Sequence, residues 1–290
     1  MKKYAIGDIV FSTINYLILI VLTLIWLYPI VHVFFASISD PIQLMQHTGV
    51  LLKPKGFSTI GYQVVISNPN IGRGYVNTLI YTFVGTVLSV FFSSMGAYAL
   101  SRKSFMLKKI ITVLFVFTMY FSGGLIPNFL LIRNLGLYNS RWAIILPVLI
   151  RTWNLMVMRT SFQQVPVSLE ESARIDGAND FVILFRIFIP VSMSTIAVMI
   201  LFYSVAQWNS WFNAMIYLQD RALYPLQLLL REILIANSSS GNINPDSDVL
   251  FLEEVIKNST IIVATLPVLV VYPFVQKYFV KGVMLGSIKE

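Results

Sequence analysis

The chain has 290 residues, 57% of them hydrophobic and only 12% charged, with a formal net charge of +8 and a mean hydropathy of +0.75. That balance excludes an ordinary soluble domain and defines an all-α, polytopic membrane protein. With no cysteine, disulfides, thiolate nucleophiles and zinc–thiolate sites are excluded as well.

In chain order, Lys2 and Lys3 lead into a charge-free stretch over 9–39. It exceeds the roughly 7 to 15 residues of a signal-peptide core and no small-x-small site clearly follows, so it reads as the first membrane span. An outer loop over about 37–75, with Pro41, Pro54 and Pro69, is an irregular lid or scaffold. The second span, 74–101, carries Gly85, Ser93, Ser94 and Gly96, a small-residue face suited to close helix contact. Arg102, Lys103, Lys108 and Lys109 crowd the link to the third span, 110–132.

The fourth span, 142–162, is apolar except for Arg151 and Arg159 and holds Pro147 near its start, the pattern of a polar or interrupted helix. Arginine at mid-depth costs on the order of 3 kcal/mol unless it faces water, a partner or a ligand. Arg151, with Trp153 and Asn154 beside it, has no acidic residue in its span. It is a candidate contact for sugar hydroxyls or a uronate carboxylate, which a guanidinium holds in bidentate geometry. Snorkelling outward, or pairing with a partner subunit, is the alternative. The fifth span, 187–219, ends among Trp208, Trp211, Tyr217 and, just beyond, Tyr224. Such rings stack on sugars, but they also populate membrane interfaces for purely physical reasons. A second outer loop, about 219–258, contains an amphipathic helix around Leu226 to Ile235 and a flexible Ser/Asn/Gly run over 237–245. The sixth span is 258–276.

Basic residues fix the orientation: Lys2 and Lys3, the 102–109 cluster, and Lys277, Lys281 and Lys289 all require the cytoplasmic side. Both termini then lie in the cytoplasm. The positive charge is thereby accounted for by topology, not by nucleic acid. No repeat or linker divides the chain, so residues 1–290 form one permease-like domain in contact with membrane lipid.

Between the fourth and fifth spans, about 164–190, lies a polar segment. Ser168 and Glu171 have the spacing of a capping box, Gly177 permits a sharp reversal, and Asn179 or Asp180 can cap a second helix. Two short helices meeting at a glycine in the cytoplasm make a docking element.

This segment resembles the EAA coupling loop of ABC importer permeases, a Glu-Ala-Ala triplet followed by a glycine and an Ile/Leu-Pro pair. The triplet here is Glu171, Ser172 and Ala173, the glycine is Gly177 within Ala-Arg-Ile-Asp-Gly-Ala, and the pair is Ile189-Pro190. Ser172 departs from the pattern, as does Ser194, where a second proline is common. Asn77-Thr78-Leu79, the run Ala97 to Arg102, the run Leu135 to Trp142, and Gln207-Trp208-Asn209-Ser210-Trp211-Phe212 look like signatures of carbohydrate permeases, the last similar to the oligosaccharide branch.

The resemblance is to the shorter six-helix subunit of maltose-type importers, with a type I importer fold. It implies a homologous second permease subunit, two cytoplasmic ATPases carrying ATP and Mg2+, and an extracytoplasmic solute-binding protein that delivers an oligosaccharide; an acidic glycan fragment is the case in which Arg151 would hold a uronate. Glu170, Glu171, Ser172, Ala173, Asp176, Gly177 and Ala178 would couple to the ATPases. Arg151, Trp153, Asn154, Asn77, Gln207, Trp208 and Asn209 would lie on the substrate pathway. The C-terminal run 279–289 would reach between the ATPases or anchor the last span at the headgroups. The setting is a bacterial cytoplasmic membrane, crossed several times.

The remaining chemistry is consistent with this. There is no G-x-x-x-x-G-K-[ST] loop, no H-E-x-x-H and no G-x-S-x-G elbow, and His32 and His47 are the only histidines. Neither an enzyme, a cofactor nor a metal site is therefore expected in the chain itself. An ion-coupled secondary sugar carrier is the alternative, and a non-transporting membrane scaffold a third. Carriers hold protons or sodium on acidic or histidine side chains within their spans, and no Asp or Glu falls within the clear spans here.

Overall fold

The structure, a computed structural model, describes residues 6–238 and 248–285. All regular elements among them are helical, because in lipid every backbone N–H and C=O must find its partner within the chain. The order is α1 (Ile6–Ser37), α2 (Pro41–Met45), α3 (Ile60–Ser67), α4 (Pro69–Ser101), α5 (Lys108–Tyr120), α6 (Leu125–Asn134), α7 (Trp142–Ile145), α8 (Thr152–Gln163), α9 (Val167–Ile175), α10 (Asp180–Ile183), α11 (Ile189–Val191), α12 (Met193–Trp208), α13 (Phe212–Tyr217), α14 (Leu226–Ser238) and α15 (Asp248–Leu285). A π-helical turn, Leu184–Phe188, joins α10 to α11.

Among the described residues two helices, α1 and α4, are continuous and apolar enough to cross a membrane, and three bent pairs meet the same test. The expected third span is not one straight helix: α5 and α6 meet at 118° across Ser122-Gly123-Gly124, where Gly124 has φ +85°. The fourth is interrupted, bending 50° between the α7 segment and α8 just beyond Pro147. The fifth turns 90° before α12, where Pro190 lacks an N–H donor. It ends at Trp208, short of the expected 219, since Asn209 and Ser210 separate it from α13. The stretch 258–276 lies within α15. Lys2, Lys3 and Lys289 lie outside the described residues, as do positions 239–245 of the Ser/Asn/Gly run and the tail beyond Leu285.

The chain forms two compact units, one drawn from Met1–Pro69 and Leu230–Pro267, the other from Asn70–Leu229 and Val268–Glu290. In the first, α1 shows apolar side chains such as Phe11 and Trp26 to the outside all round, which requires lipid or another protein around it. The outer loop is ordered. Asp40 caps α2 by accepting from Ile42 N and Gln43 N, both at 3.1 Å, and Ser37 Oγ and Tyr62 OH share a 2.7 Å hydrogen bond. Ser259 Oγ of α15 donates to Ser37 O at 3.1 Å. Gly61 of α3 makes that approach possible: a Cβ there would fall on Ser259 Oγ, 2.8 Å from Val255 Cγ1 and 3.0 Å from Val255 O.

The second unit is built on the small-residue face of α4. Gly96 lies against Leu155 of α8 and Gly85 against Gln207 of α12, while Ser93 Oγ and Tyr203 OH share a 2.7 Å hydrogen bond. Close approach of these backbones substitutes for bulky packing. Around it Tyr98, Leu155, Met158, Phe162, Ile183, Leu184, Phe188 and Met199 form the main core.

Overpacking a tight contact costs roughly 1 to 3 kcal/mol, so Gly61→Ala is expected to lower the melting temperature of the purified subunit. Gly72→Ala, in a position where an added Cβ meets nothing within 4 Å, is expected to leave it unchanged or raise it slightly. Differential scanning fluorimetry in detergent measures both.

Candidate functional site

The polar segment over 164–190 folds as two helices around one left-handed residue. Its first helix, α9, begins after Pro166, whose φ of −56° and ψ of 133° lead the chain in. The expected capping box is not formed: Ser168 is the second residue of the helix, and no side chain caps its N-terminus. Proline ahead of the serine shifts the start so that Ser168 and Glu171 both lie inside the helix. The C-terminus closes in a Schellman arrangement, with Ala178 N donating to Ala173 O at 2.9 Å and Gly177 N to Arg174 O at 3.0 Å. Gly177, at φ +81°, supplies the left-handed residue that this closure needs. Asn179 then caps α10, its Oδ1 accepting from Val182 N at 2.9 Å.

The two faces of α9 differ. Ala173, and Ala178 just beyond the turn at Gly177, are partly buried against the core, and Glu170 points inward with 12% of its side chain exposed. Glu170 Oε1 accepts from Arg174 Nε at 3.2 Å and Nη2 at 3.1 Å, and its Oε2 pairs with Arg102 Nη1. Arg174 Nη2 also reaches Asp180 Oδ1 at 2.5 Å, to which Tyr98 OH donates at 3.0 Å. Hydrogen bonds to Glu170, then Asp180, hold the Arg174 guanidinium above its ordinary pKa. The outer face carries Val167, Glu171 and Ile175, the last 86% exposed. Glu171 makes no ion pair among the described residues. Ser172 and Asp176 are exposed as well. A short helix thus fixed from within presents one free carboxylate and an apolar edge outward.

A second group lies where the fourth span breaks. Arg151 is the residue before α8, its backbone N donating to Tyr203 OH at 3.3 Å. Its guanidinium makes no hydrogen bond or ion pair among the described residues. It lines a cavity of about 210 Å³ with Gln207, Asn209, Ser210, Trp211 and Asn213. Gln207 is 4% exposed, and its Oε1 is buried without a partner. Asn154, equally buried, has an unpartnered Nδ2.

The structure therefore brings Arg151, Gln207 and Asn209 to one cavity. The other expected pathway residues stand elsewhere: Trp153 is exposed, and Trp208 packs edge-on to Tyr75, with ring centroids 6.5 Å apart. Asn77 is committed to the scaffold, its Nδ2 donating to Ala222 O at 2.7 Å and Tyr224 O at 3.1 Å, and its Oδ1 accepting from Arg141 Nη2 at 3.1 Å. Among the described residues no group of His, Asp and Glu has the arrangement of a metal site. Arg102 and Arg174 were missed by sequence reasoning. Arg174 stands four residues after Glu170, a spacing that signals a helical ion pair; Arg102 closes the signature run from Ala97, but nothing local signals its pairing with Glu170.

No protein-family model matches the chain. It is 42% identical to the polygalacturonan/rhamnogalacturonan transport system permease protein YtcP of Bacillus subtilis (strain 168), over 96% of this chain and 98% of that one. The arabinooligosaccharides transport system permease protein AraQ of the same organism is 30% identical, over 94% of each. Among solved structures, a bacterial ABC transporter involved in the import of the acidic polysaccharide alginate superposes with a TM-score of 0.86 at 33% identity, covering 96% of this chain and all of the matched one.

The chain belongs to the permease subunits of ABC sugar importers. It is a membrane protein of the oligosaccharide branch, and this kinship favours ATP-driven import over an ion-coupled carrier. Permeases of the family work with ATPase and binding-protein partners.

Valine at a left-handed position costs roughly 1 to 2 kcal/mol, a strain that asparagine tolerates better. In the assembled importer Gly177→Val is expected to abolish uptake, whereas Gly177→Asn retains most of it. Radiolabelled-sugar uptake into proteoliposomes, with ATPase stoichiometry checked on gels, measures the difference.

Proposed function

We propose that the chain is one of two permease subunits of an importer for an acidic oligosaccharide in the bacterial cytoplasmic membrane. Six spans place both termini in the cytoplasm, two cytoplasmic ATPases supply ATP and Mg2+, and an extracytoplasmic solute-binding protein delivers the sugar. Glu171, Ser172, Asp176 and Gly177 meet the ATPases, with Glu170, Ala173 and Ala178 holding the loop in shape behind them. Support for this division comes from the free Glu171 on the outward face of α9 and the internal pairing of Glu170.

The acidic character of the substrate is carried by one observation: Arg151, in a polar cavity, has no acidic partner among the described residues. A guanidinium without a counter-ion is suited to hold a uronate carboxylate through two parallel N–H donors. Gln207 and Asn209 line the same cavity and supply amide side chains to its wall. Two of the related proteins support this reading, one named for polygalacturonan/rhamnogalacturonan transport and the other involved in import of the acidic polysaccharide alginate, whereas AraQ is named for arabinooligosaccharides. Cytoplasmic orientation of the coupling loop is supported by Arg102, Lys103, Lys108 and Lys109, which lie at the same end of α4 as the Glu170 contact.

Arg151→Lys keeps the charge and loses the fork, whereas Arg151→Gln loses both. Uptake of an oligogalacturonate is expected to fall about tenfold or more in Arg151→Gln, consistent with loss of a charge-assisted pair, and less in Arg151→Lys. Uptake of a neutral oligosaccharide is not expected to discriminate among the three proteins. Unchanged oligogalacturonate uptake in Arg151→Gln would exclude the contact, and loss of the assembled complex would point to a structural role instead.

A further inference from the structure

Arg102 is the residue after α4, and its guanidinium stands where several elements of the second unit meet. Its Nε donates to Ser101 Oγ at 3.0 Å and its Nη2 to Phe162 O, near the end of α8, at 3.0 Å. Nη1 pairs with Glu170 of α9. The guanidinium carbon lies 4.3 Å from the centre of the Phe188 ring in the π-helical turn and 5.4 Å from that of Tyr98. Only 10% of the Arg102 side chain is exposed. One planar cation thus touches α4, α8, α9 and the π-helical turn at once.

A buried ion pair is a weak source of stability, because desolvating both charges costs about as much as their attraction returns. Its distinctive product is geometry: the rigid fork of arginine, stacked on a ring, fixes the distance and angle between the groups it binds. The nine-residue α9 is too short to stand alone. It is tied to the rest of the unit by the small contacts of Ala173 and Ala178 and by two polar links. One is the Tyr98–Asp180–Arg174 chain, which runs through exposed carboxylate and guanidinium groups. The other is Arg102 with Glu170, the link shielded from water. The π-helical turn it stacks on leads directly into the 90° bend before α12, the place where the fifth span can rearrange.

We infer that Arg102 is a positioning residue of the transport cycle: through Glu170 it carries displacement of the coupling loop into α4, α8 and the bend at the start of α12. The inference rests on the reading of residues 164–190 as the ATPase-coupling loop. Glu170 is then the inner end of the transmission, and the docking surface in front of it moves α4 and α12 only while the Arg102 fork holds.

The test uses the complete importer in proteoliposomes with its binding protein and an oligogalacturonate, measuring sugar uptake and ATP hydrolysis together. Arg102→Gln and Glu170→Gln are each expected to lower uptake per ATP hydrolysed by about tenfold, within the range of coupling effects seen for such positions, with the ATPases still bound. Because both remove one link, the double variant is expected to be no worse than either single one. Arg102→Lys, which keeps the charge and loses the planar fork, falls between, and it carries the test if Arg102→Gln does not assemble. Wild-type uptake per ATP in Arg102→Gln or Arg102→Lys would overturn the inference. So would losses that multiply in the double variant, or uptake and hydrolysis falling in equal proportion. If Gly177→Val uncouples while the Arg102 variants do not, the coupling loop stands and this inference alone fails; if neither uncouples, the reading of the loop fails with it.

Discussion

In an apolar medium a backbone polar group without a partner inside the chain costs several kcal/mol. This cost makes every regular element among the described residues a helix, and it restricts where a helix can break. Breaks occur at Ser122-Gly123-Gly124, beyond Pro147 and beside Pro190, where glycine or proline already disturbs the ladder. Two of these interruptions border the groups proposed above for coupling and for substrate contact. Arg151 occupies the first position before α8 resumes, and the coupling segment runs through the π-helical turn into the bend before α12. Breaks in the ladder are thus the places where the chain can expose polar chemistry and change shape.

Charge is used sparingly around these breaks. On the loop side, two arginines and two carboxylates form a continuous chain from Arg102 through Glu170 and Arg174 to Asp180. This chain consumes the inner face of α9 and leaves Glu171 outside it. At the other break, Arg151 lines its cavity with no carboxylate partner among the described residues. One site has its charges matched within the chain, which suits a mechanical joint; the other has one cation unmatched, which suits an anionic visitor.

Much of this was legible in the sequence, for reasons specific to each residue. Gly177 and Asn179 do locally what their types allow, so the turn and the second cap were readable from a few neighbours. The span interruption near Arg151 followed from Pro147 and a cation in an apolar run. The start of α9 was misread because Ser168 and Glu171 match a capping box in spacing while Pro166 sets the entry two residues earlier. The bend in the third span was missed because hydropathy does not register Gly123-Gly124 as a break. Asn77 looked available for sugar, but the loop that consumes its hydrogen bonds lies some 145 residues further on. Arg102 and Glu170, 68 residues apart, are joined only by tertiary folding, and no local pattern announces such a pair.

In the proposed function, ATP acting from outside the chain through the α9 loop powers the movement of sugar. Uptake by the complete importer in proteoliposomes, with ATP enclosed and proton and sodium gradients collapsed by ionophores, tests it most directly. Uptake is predicted to persist under collapsed gradients and to stop when the enclosed ATP is hydrolysed beforehand. Uptake that disappears with the gradients, or that continues without ATP, would contradict the account.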